Sequence, residues 1–275
     1  MQTVTAEQLI EILKSLGLQT GDGVMVHSAV HFLGKPQESM HTYYKALSTV
    51  LGLDAGAAMQ TPNGTLVVPA FNFGFARGEA YDPQMTPSQG MGVFSEYVRQ
   101  LSSAHRTSHP MQSLAVVGKY ADDLCQRDTL SAFDPGSAFE RMLELDFKLL
   151  LLGADIQAVS MLHYSEQRAF VPYRYWKDFT GKVRRDSDWE LHTYRMYVRD
   201  LDLNPQLSLL PVQRLLEERF QWLSVHLNYG KVVVCRMRDF VKAVDEILQR
   251  DPWALVVSSK QPANQKEIEC SATQQ

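Results

Sequence analysis

The chain has 275 residues, 45% of them hydrophobic and 21% charged, enough apolar material for one large core or two closely packed lobes. A net charge of -4 and a pI of about 6.1 lack the basic excess that binding a phosphate backbone demands, which sets general nucleic-acid binding aside. No apolar run approaches the roughly 20 residues of a membrane helix and no basic start leads into an apolar core, so neither membrane attachment nor a leader is expected, and the cytoplasm is the default location.

Thr5 and Gln8 form a capping-box pattern, after which Leu9, Ile10, Leu13 and Leu16 recur at helical spacing up to Gly17. Gly21-Asp22-Gly23 breaks that helix, and Val24-Met25-Val26 reads as a buried strand ending at His27 and Ser28. A helix over about 40–51 leads through the turn Pro62-Asn63-Gly64 into a strand at Thr65-Leu66-Val67-Val68. A helix near 91–101, a strand at 114–117, a helix from Ser137 capped with Glu140, a strand at 148–152 and a helix from Ser160 continue the series.

This alternation predicts an α/β fold, layered α/β/α with a largely parallel central sheet. After Tyr173 the texture turns to mixed polar and aromatic residues, followed by one more strand at 231–236, a helix at 239–248 and a frayed tail from Lys260. The expected division is a core over 1–173 and a smaller mixed C-terminal lobe over 174–275, two lobes and not independent domains. Cys125, Cys235 and Cys270 are too few and too scattered for a disulfide framework or a zinc site, so reduced thiols and no metal are expected.

Open parallel sheets bind ligands at the C-terminal ends of their strands, and four loops there are rich in polar groups. In the first, His27, Ser28, Ala29 and Val30 form a turn that can aim backbone N–H groups at a phosphate or line a pantetheine arm; an ordinary βα turn with a packed histidine is the alternative. The second, Pro69 to Phe75, places Asn72 among aromatics, where its amide needs a partner in ligand, backbone or water. The third combines Tyr81-Asp82-Pro83 through Gly92 with Arg106 to Ser113. There His109 is kept out of helical geometry by Pro110, and either faces a cleft or bonds to backbone. In the fourth, His163 and Glu166 share a helical face at i, i+3, an arrangement that raises the imidazole's basicity and suits a general base, or else a surface pair.

In order and spacing these blocks resemble the aminoglycoside 3-N-acetyltransferase family. Gly21-Asp22 with Val26-His27-Ser28 and Gly34 is similar to its first block, and Gly64-Thr65-Leu66 with Pro69 and Phe71 to its second. Tyr81-Asp82-Pro83, Thr86-Pro87-Ser88 and Met91-Gly92 resemble the third, and Arg106-Thr107-Ser108-His109-Pro110 with Ser113 the fourth. Gly136-Ser137, Leu150 to Gly153, and Leu162-His163 with Glu166 complete the likeness, which spans roughly residues 20 to 175. The resemblance implies direct transfer of acetyl from acetyl-CoA to an amine, without an acyl-enzyme or a metal. It implies His163 as base, Glu166 as its orienting partner and His109 near the reacting centre. His27, Ser28, Ala29, Val30, Thr65, Arg106 and Thr107 would contact CoA, within residues 1–173. Ala29, Ala70 and Asn72 depart from the serine and threonines common in the family, which bears on side-chain contacts to the acceptor.

Acceptor choice is expected from residues 174–275. From Arg174 through Lys177, Lys182, Arg184, Arg185 and Arg195 to Arg199, basic residues outnumber Asp178, Asp186, Asp188 and Glu190, with Tyr173, Tyr175, Trp176, Trp189 and Tyr194 interleaved. Guanidinium forks and aromatic faces suit a pyrophosphate and a base, so a nucleotide-linked (dTDP-type) amino sugar of surface polysaccharide assembly is the acceptor expected first. Asn72, Tyr81, Asp82, Arg174, Trp176 and Lys177 would touch it. An aminoglycoside is the alternative, as are CoA-dependent acylation of a phosphonate or peptide amine, and a non-catalytic ligand binder. A homo-oligomer is compatible with any of these.

Overall fold

The structure, a computed structural model, describes residues 2–53 and 62–259. The chain opens on β1 (Thr3–Val4) and α1 (Ala6–Ser15), where the Thr5 hydroxyl accepts from the Gln8 N–H at 3.2 Å and Ala6, Leu9 and Leu13 are buried, as the capping box and spacing predict. β2 (Gly23–Ser28) follows, then β3 (Lys35–Pro36), which pairs with β1, and α2 (His41–Leu51), closed by Gly52 at φ 70°. β4 (Thr65–Pro69), α3 (Val93–Arg99), β5 (His105–Arg106), β6 (Leu114–Gly118) and α4 (Ala121–Cys125) come next. α5 (Ala138–Glu144) starts where the Ser137 hydroxyl accepts from the Glu140 N–H, and β7 (Lys148–Leu152) and α6 (Leu162–Arg168) complete the predicted series.

Beyond α6 the chain forms a long hairpin, β8 (Arg174–Arg185) and β9 (Asp188–Arg199), paired residue for residue from Arg174 opposite Arg199 to Arg185 opposite Asp188. β10 (Gln206–Leu207), α7 (Leu210–Glu218), β11 (Leu223–Leu227), β12 (Gly230–Arg236), α8 (Met237–Arg250) and β13 (Val256–Ser258) follow. The tail from Lys260, with Cys270, lies outside the described residues. No helix among the described residues is long and apolar enough to cross a membrane.

Seven strands make one sheet in the order β11-β12-β7-β2-β4-β6-β5. β7, β2 and β4 are hydrogen-bonded in parallel, whereas β6 and β12 run against their neighbours; β11, β7, β2, β4 and β5 therefore point one way and β12 and β6 the other. The sheet is parallel at its centre and mixed toward both edges. Because β11 and β12 return to it, the sheet crosses the division expected at residue 174; what that position marks is the start of the hairpin.

Alternate residues of each central strand enter opposite cores, which builds the three layers. Val24, Val26, Leu66, Val68, Leu150 and Leu152 pack with α1, α2 and α3 on one face. Met25, Val67, Leu149, Leu151 and Val233 pack with α5, α6, α7 and α8 on the other. The hairpin has a small core of its own, in which Val183 and Tyr194 meet Phe75, Tyr81 and Met111.

Candidate active site

α6 begins just after a 3-10 turn over Ile156–Ala158, which is capped by the Asp155 side chain accepting from the Gln157 N–H at 2.9 Å. The helix turns Leu162, Tyr164 and Ser165 into the core, and Glu166 goes in with them. The i, i+3 spacing brings His163 Nδ1 to 2.6 Å from Glu166 Oε2; the Glu166 side chain is fully buried and His163 is 35% exposed. A buried carboxylate needs compensating charge. Arg174, the first residue of β8, supplies it, with Nε 2.9 Å from the same Oε2 and Nη1 donating to the Tyr197 carbonyl at 3.2 Å. The Tyr173 hydroxyl lies beside this carboxylate too. Burial pushes the Glu166 carboxyl up, but the hydrogen bond and charge of His163, together with Arg174, outweigh it and hold Glu166 ionised below the usual carboxylate range. With Nδ1 engaged as donor to Glu166, Nε2 is the ring nitrogen free to take a proton.

His163 stands on the wall of a cleft of about 750 Å³, which Arg174, Tyr175, Lys177, Phe179 and Met196 of the hairpin also line. A second cleft, of about 510 Å³ and mostly apolar, opens at the end of β2, between His27 to His31, Pro69, Phe71 and the Gly90-Met91-Gly92 loop. The two are neighbours. Phe71 lines the apolar cleft and Phe73 the larger one, with ring centroids 6.5 Å apart, and Ala158 and Ser160 border the first as Gln157 and His163 border the second.

The first loop packs its histidine and also borders a cleft. His27, Ser28, Ala29 and Val30 line the apolar cleft, but His27 is also packed: it is buried, and its Nε2 accepts the Ser160 N–H at 3.1 Å. This bond ties the end of β2 to the segment that leads into α6. Burial pushes the His27 imidazole down to about 4, so it is neutral at pH 7. The Ala29 N–H is spent on the Leu152 carbonyl at 2.8 Å and is not offered to an anion.

Several expected contacts are structural instead. Thr65 sits at the start of β4, away from the strand ends that form the clefts, and its hydroxyl accepts from the Tyr120 N–H at 3.1 Å. Arg106 lies over the Tyr81 ring and donates to the carbonyls of Ala70 and Thr86, so its guanidinium holds loops together and has no fork left for CoA. The Thr107 hydroxyl accepts from the Leu114 N–H at 2.8 Å. His109 does not reach either cleft. Its buried ring packs on Tyr194 at 4.8 Å, its Nε2 meets the Arg195 carbonyl at 3.3 Å, and burial pushes it down to about 4.

The acceptor contacts sort in the same way. The Asn72 amide donates to the Pro87 carbonyl and accepts from the Gly74 N–H, both at 2.8 Å. Tyr81 is buried under Arg106 and bridged through its backbone to β8. Asp82 accepts the N–H groups of Gln84 and Met85 and pairs with Arg184 at 3.2 Å. Lys177 lines the larger cleft; Arg174 also lines it, but is committed to Glu166. Trp176 alternates with Lys177 onto the other face of the hairpin and does not line the cleft; its ring is tilted 49° to that of Tyr197, with centroids 5.0 Å apart. The basic segment is thus largely neutralised within itself: Arg174 by Glu166, Arg184 by Asp82, Arg185 by Asp128 and Arg195 by Asp178. With those forks occupied, Tyr173 and Tyr194 buried, and Trp176 and Trp189 off the cleft wall, the case for a nucleotide-linked acceptor falls away.

Sequence reasoning missed Ser160, Gln112, Gln157, Phe179 and Met196 as wall or linking residues. One signal was available for the hairpin: the period-two alternation that puts Tyr175, Lys177 and Phe179 on one face.

With this geometry in place, comparison with known proteins is specific. The profile of the aminoglycoside 3-N-acetyltransferase family matches residues 25–249. Aminoglycoside N(3)-acetyltransferase III of Salmonella sp is 31% identical over 184 residues, which cover 62% of this chain and 63% of that protein's length. Among solved structures, the apoenzyme of aminoglycoside acetyltransferase AAC(3)-IVa superposes with a TM-score of 0.74 at 25% identity, covering 99% of this chain and 97% of the other. AAC-IIIb, in its binary complex with CoASH, gives 0.78 at 20% identity over 95% and 100%.

Proposed function

Because the chain belongs to the aminoglycoside 3-N-acetyltransferase family, we propose that it transfers acetyl from acetyl-CoA to an amino group of an aminoglycoside or a related amino sugar. The observation that carries this reading is the His163–Glu166 pair, 2.6 Å apart on the wall of a cleft large enough for a sugar. An ammonium must lose a proton before its nitrogen can attack a thioester, and His163 Nε2 is placed to receive it while Glu166 holds the ring and stabilises the imidazolium. The amine nitrogen forms its bond to the acetyl carbon as the carbon–sulfur bond breaks and CoA leaves as thiol. The apolar cleft beside Ser28, Ala29 and Val30 fits a pantetheine arm, and its closeness to His163 across the Phe71–Phe73 segment suits transfer within one ternary complex.

The test is thiol release from acetyl-CoA with gentamicin-type and simple amino-sugar acceptors, with product masses checked for one added acetyl group. His163→Ala should lower kcat by about 10²- to 10⁴-fold at neutral pH. A variant that kept near-wild-type turnover would exclude His163 as the base.

A further inference from the structure

His109 and Gln112 bracket a 3-10 turn over Pro110–Gln112, in which the Gln112 N–H reaches back to the His109 carbonyl at 3.3 Å. Side chains three residues apart eclipse one another in such a turn, so the imidazole and the carboxamide rise on the same side. Both side chains are buried, and each carries a polar atom with no partner among the described residues, Nδ1 of His109 and Oε1 of Gln112. Buried polar atoms are seldom left so. The two side chains line one internal cavity of about 10 Å³, together with Thr107 and Thr129. The rest of its wall is apolar apart from Arg127, whose guanidinium is engaged by Asp123 and the Gly136 carbonyl. That is about the room one water needs, and a buried water is held by roughly two to four polar partners.

Donors and acceptors match. His109 Nε2 faces the Arg195 carbonyl, which can only accept, so the ring proton sits on Nε2 and Nδ1 is an acceptor, as Gln112 Oε1 is. The Thr107 oxygen takes the Leu114 N–H at 2.8 Å, which leaves its own O–H to donate. One water can therefore give its two protons to Nδ1 and Oε1 and accept the Thr107 proton. Gln112 alone among these residues also stands on the wall of the larger cleft, with His163. With Oε1 held inward, the amide nitrogen is the end left for that cleft.

We propose that one internal water joins Thr107, His109 and Gln112, and that this bridge fixes the Gln112 carboxamide with Nε2 toward the acceptor, where it donates to a hydroxyl or ring oxygen of the sugar. This rests on the acetyltransferase reading above and adds two residues to it: Gln112 as an acceptor contact, and His109 as a positioning residue that acts through Gln112.

A crystal structure at a resolution that shows ordered waters should place one within hydrogen-bond distance of His109 Nδ1 and Gln112 Oε1; clear density without it overturns the bridge. With a gentamicin-type or simple amino-sugar acceptor, Gln112→Met keeps the length and loses the amide. It should raise acceptor KM about fivefold, the worth of one neutral hydrogen bond, and move the acetyl-CoA KM much less. His109→Gln can restore a donor near Nε2 but not the Nδ1 acceptor, and should raise acceptor KM similarly. His109→Asn places an amide oxygen near the Nδ1 position and should recover most of that loss, although it removes the bond to Arg195 and more of the packing. A merely structural His109 would reverse the order of these two variants, and that reversal, or an acceptor KM unchanged in Gln112→Met, overturns the idea. Combining His109→Gln with Gln112→Met should be no worse for KM than Gln112→Met alone; additive losses would show that the two residues act separately. If no amine is acetylated, the acetyltransferase reading fails, while the crystallographic water and calorimetric affinity of the same variants for the sugar still decide this one.

Discussion

Replacing Arg174 with glutamine removes the guanidinium partner of a fully buried carboxylate. The guanidinium and the His163 bond together hold Glu166 below the usual carboxylate range against the opposing pull of burial. Without Arg174, the buried Glu166 carboxylate loses its guanidinium partner and holds the His163 ring less firmly. Arg174→Gln should therefore lower kcat by about tenfold or more, and Arg174→Lys, which keeps the charge, should recover part of the loss. A kcat unchanged by the glutamine would show that Arg174 merely packs. The histidine and carboxylate were legible in the sequence, because three residues of helix fix their relation locally. Arg174's part was not: a residue eight positions after Glu166 joins the pair only because β8 starts against α6, and its charge read instead as part of a basic run.

At the scale of elements, the hairpin is seated by close contact. A side chain at Gly181 would put its Cβ 2.8 Å from Phe75 Cε2, and the buried Phe75 ring already packs edge-on against Tyr194 at 5.9 Å. Gly181→Leu should push β8 and β9 off this seat, at a cost of about 1–3 kcal/mol. Faster proteolysis within 174–199 and a raised acceptor KM would register the displacement, while acetyl-CoA affinity, if the cleft beside Ser28 holds it as proposed, should change less. Sequence patterning located the central strands because they are buried on both faces and read as continuous apolar runs. It could not give their direction: the apolar runs in β6 and β12 look the same whether they pair parallel or antiparallel. The hairpin stayed hidden because most of both faces is polar or aromatic, and only Val183 and Tyr194 of it are fully buried, so no clean alternation marks it.

Across the whole molecule, two buried histidines link stability to pH. His27 ties β2 to the segment before α6, and His109 backs the hairpin; burial lowers both to about 4 from an ordinary 6.5. Their contribution is complete above pH 6.5, where folded and unfolded chains alike hold them neutral. It is lost progressively as pH falls toward 4, because the unfolded chain takes up protons that the folded one refuses. Each is worth on the order of 3 kcal/mol at full effect. Urea midpoints should drop between pH 7 and 4.5, and His109→Gln should flatten that slope by about one proton; an unchanged slope would mean that His109 is not held neutral. The position of β8 carries a consequence for protein engineering. Arg174, which pairs with Glu166, and Lys177, on the cleft wall, lie three positions apart on one strand, so a hairpin transplanted whole from another protein would replace both. A graft meant to change the acceptor and spare the chemistry should join after Arg174 and keep Tyr197, whose carbonyl anchors that arginine.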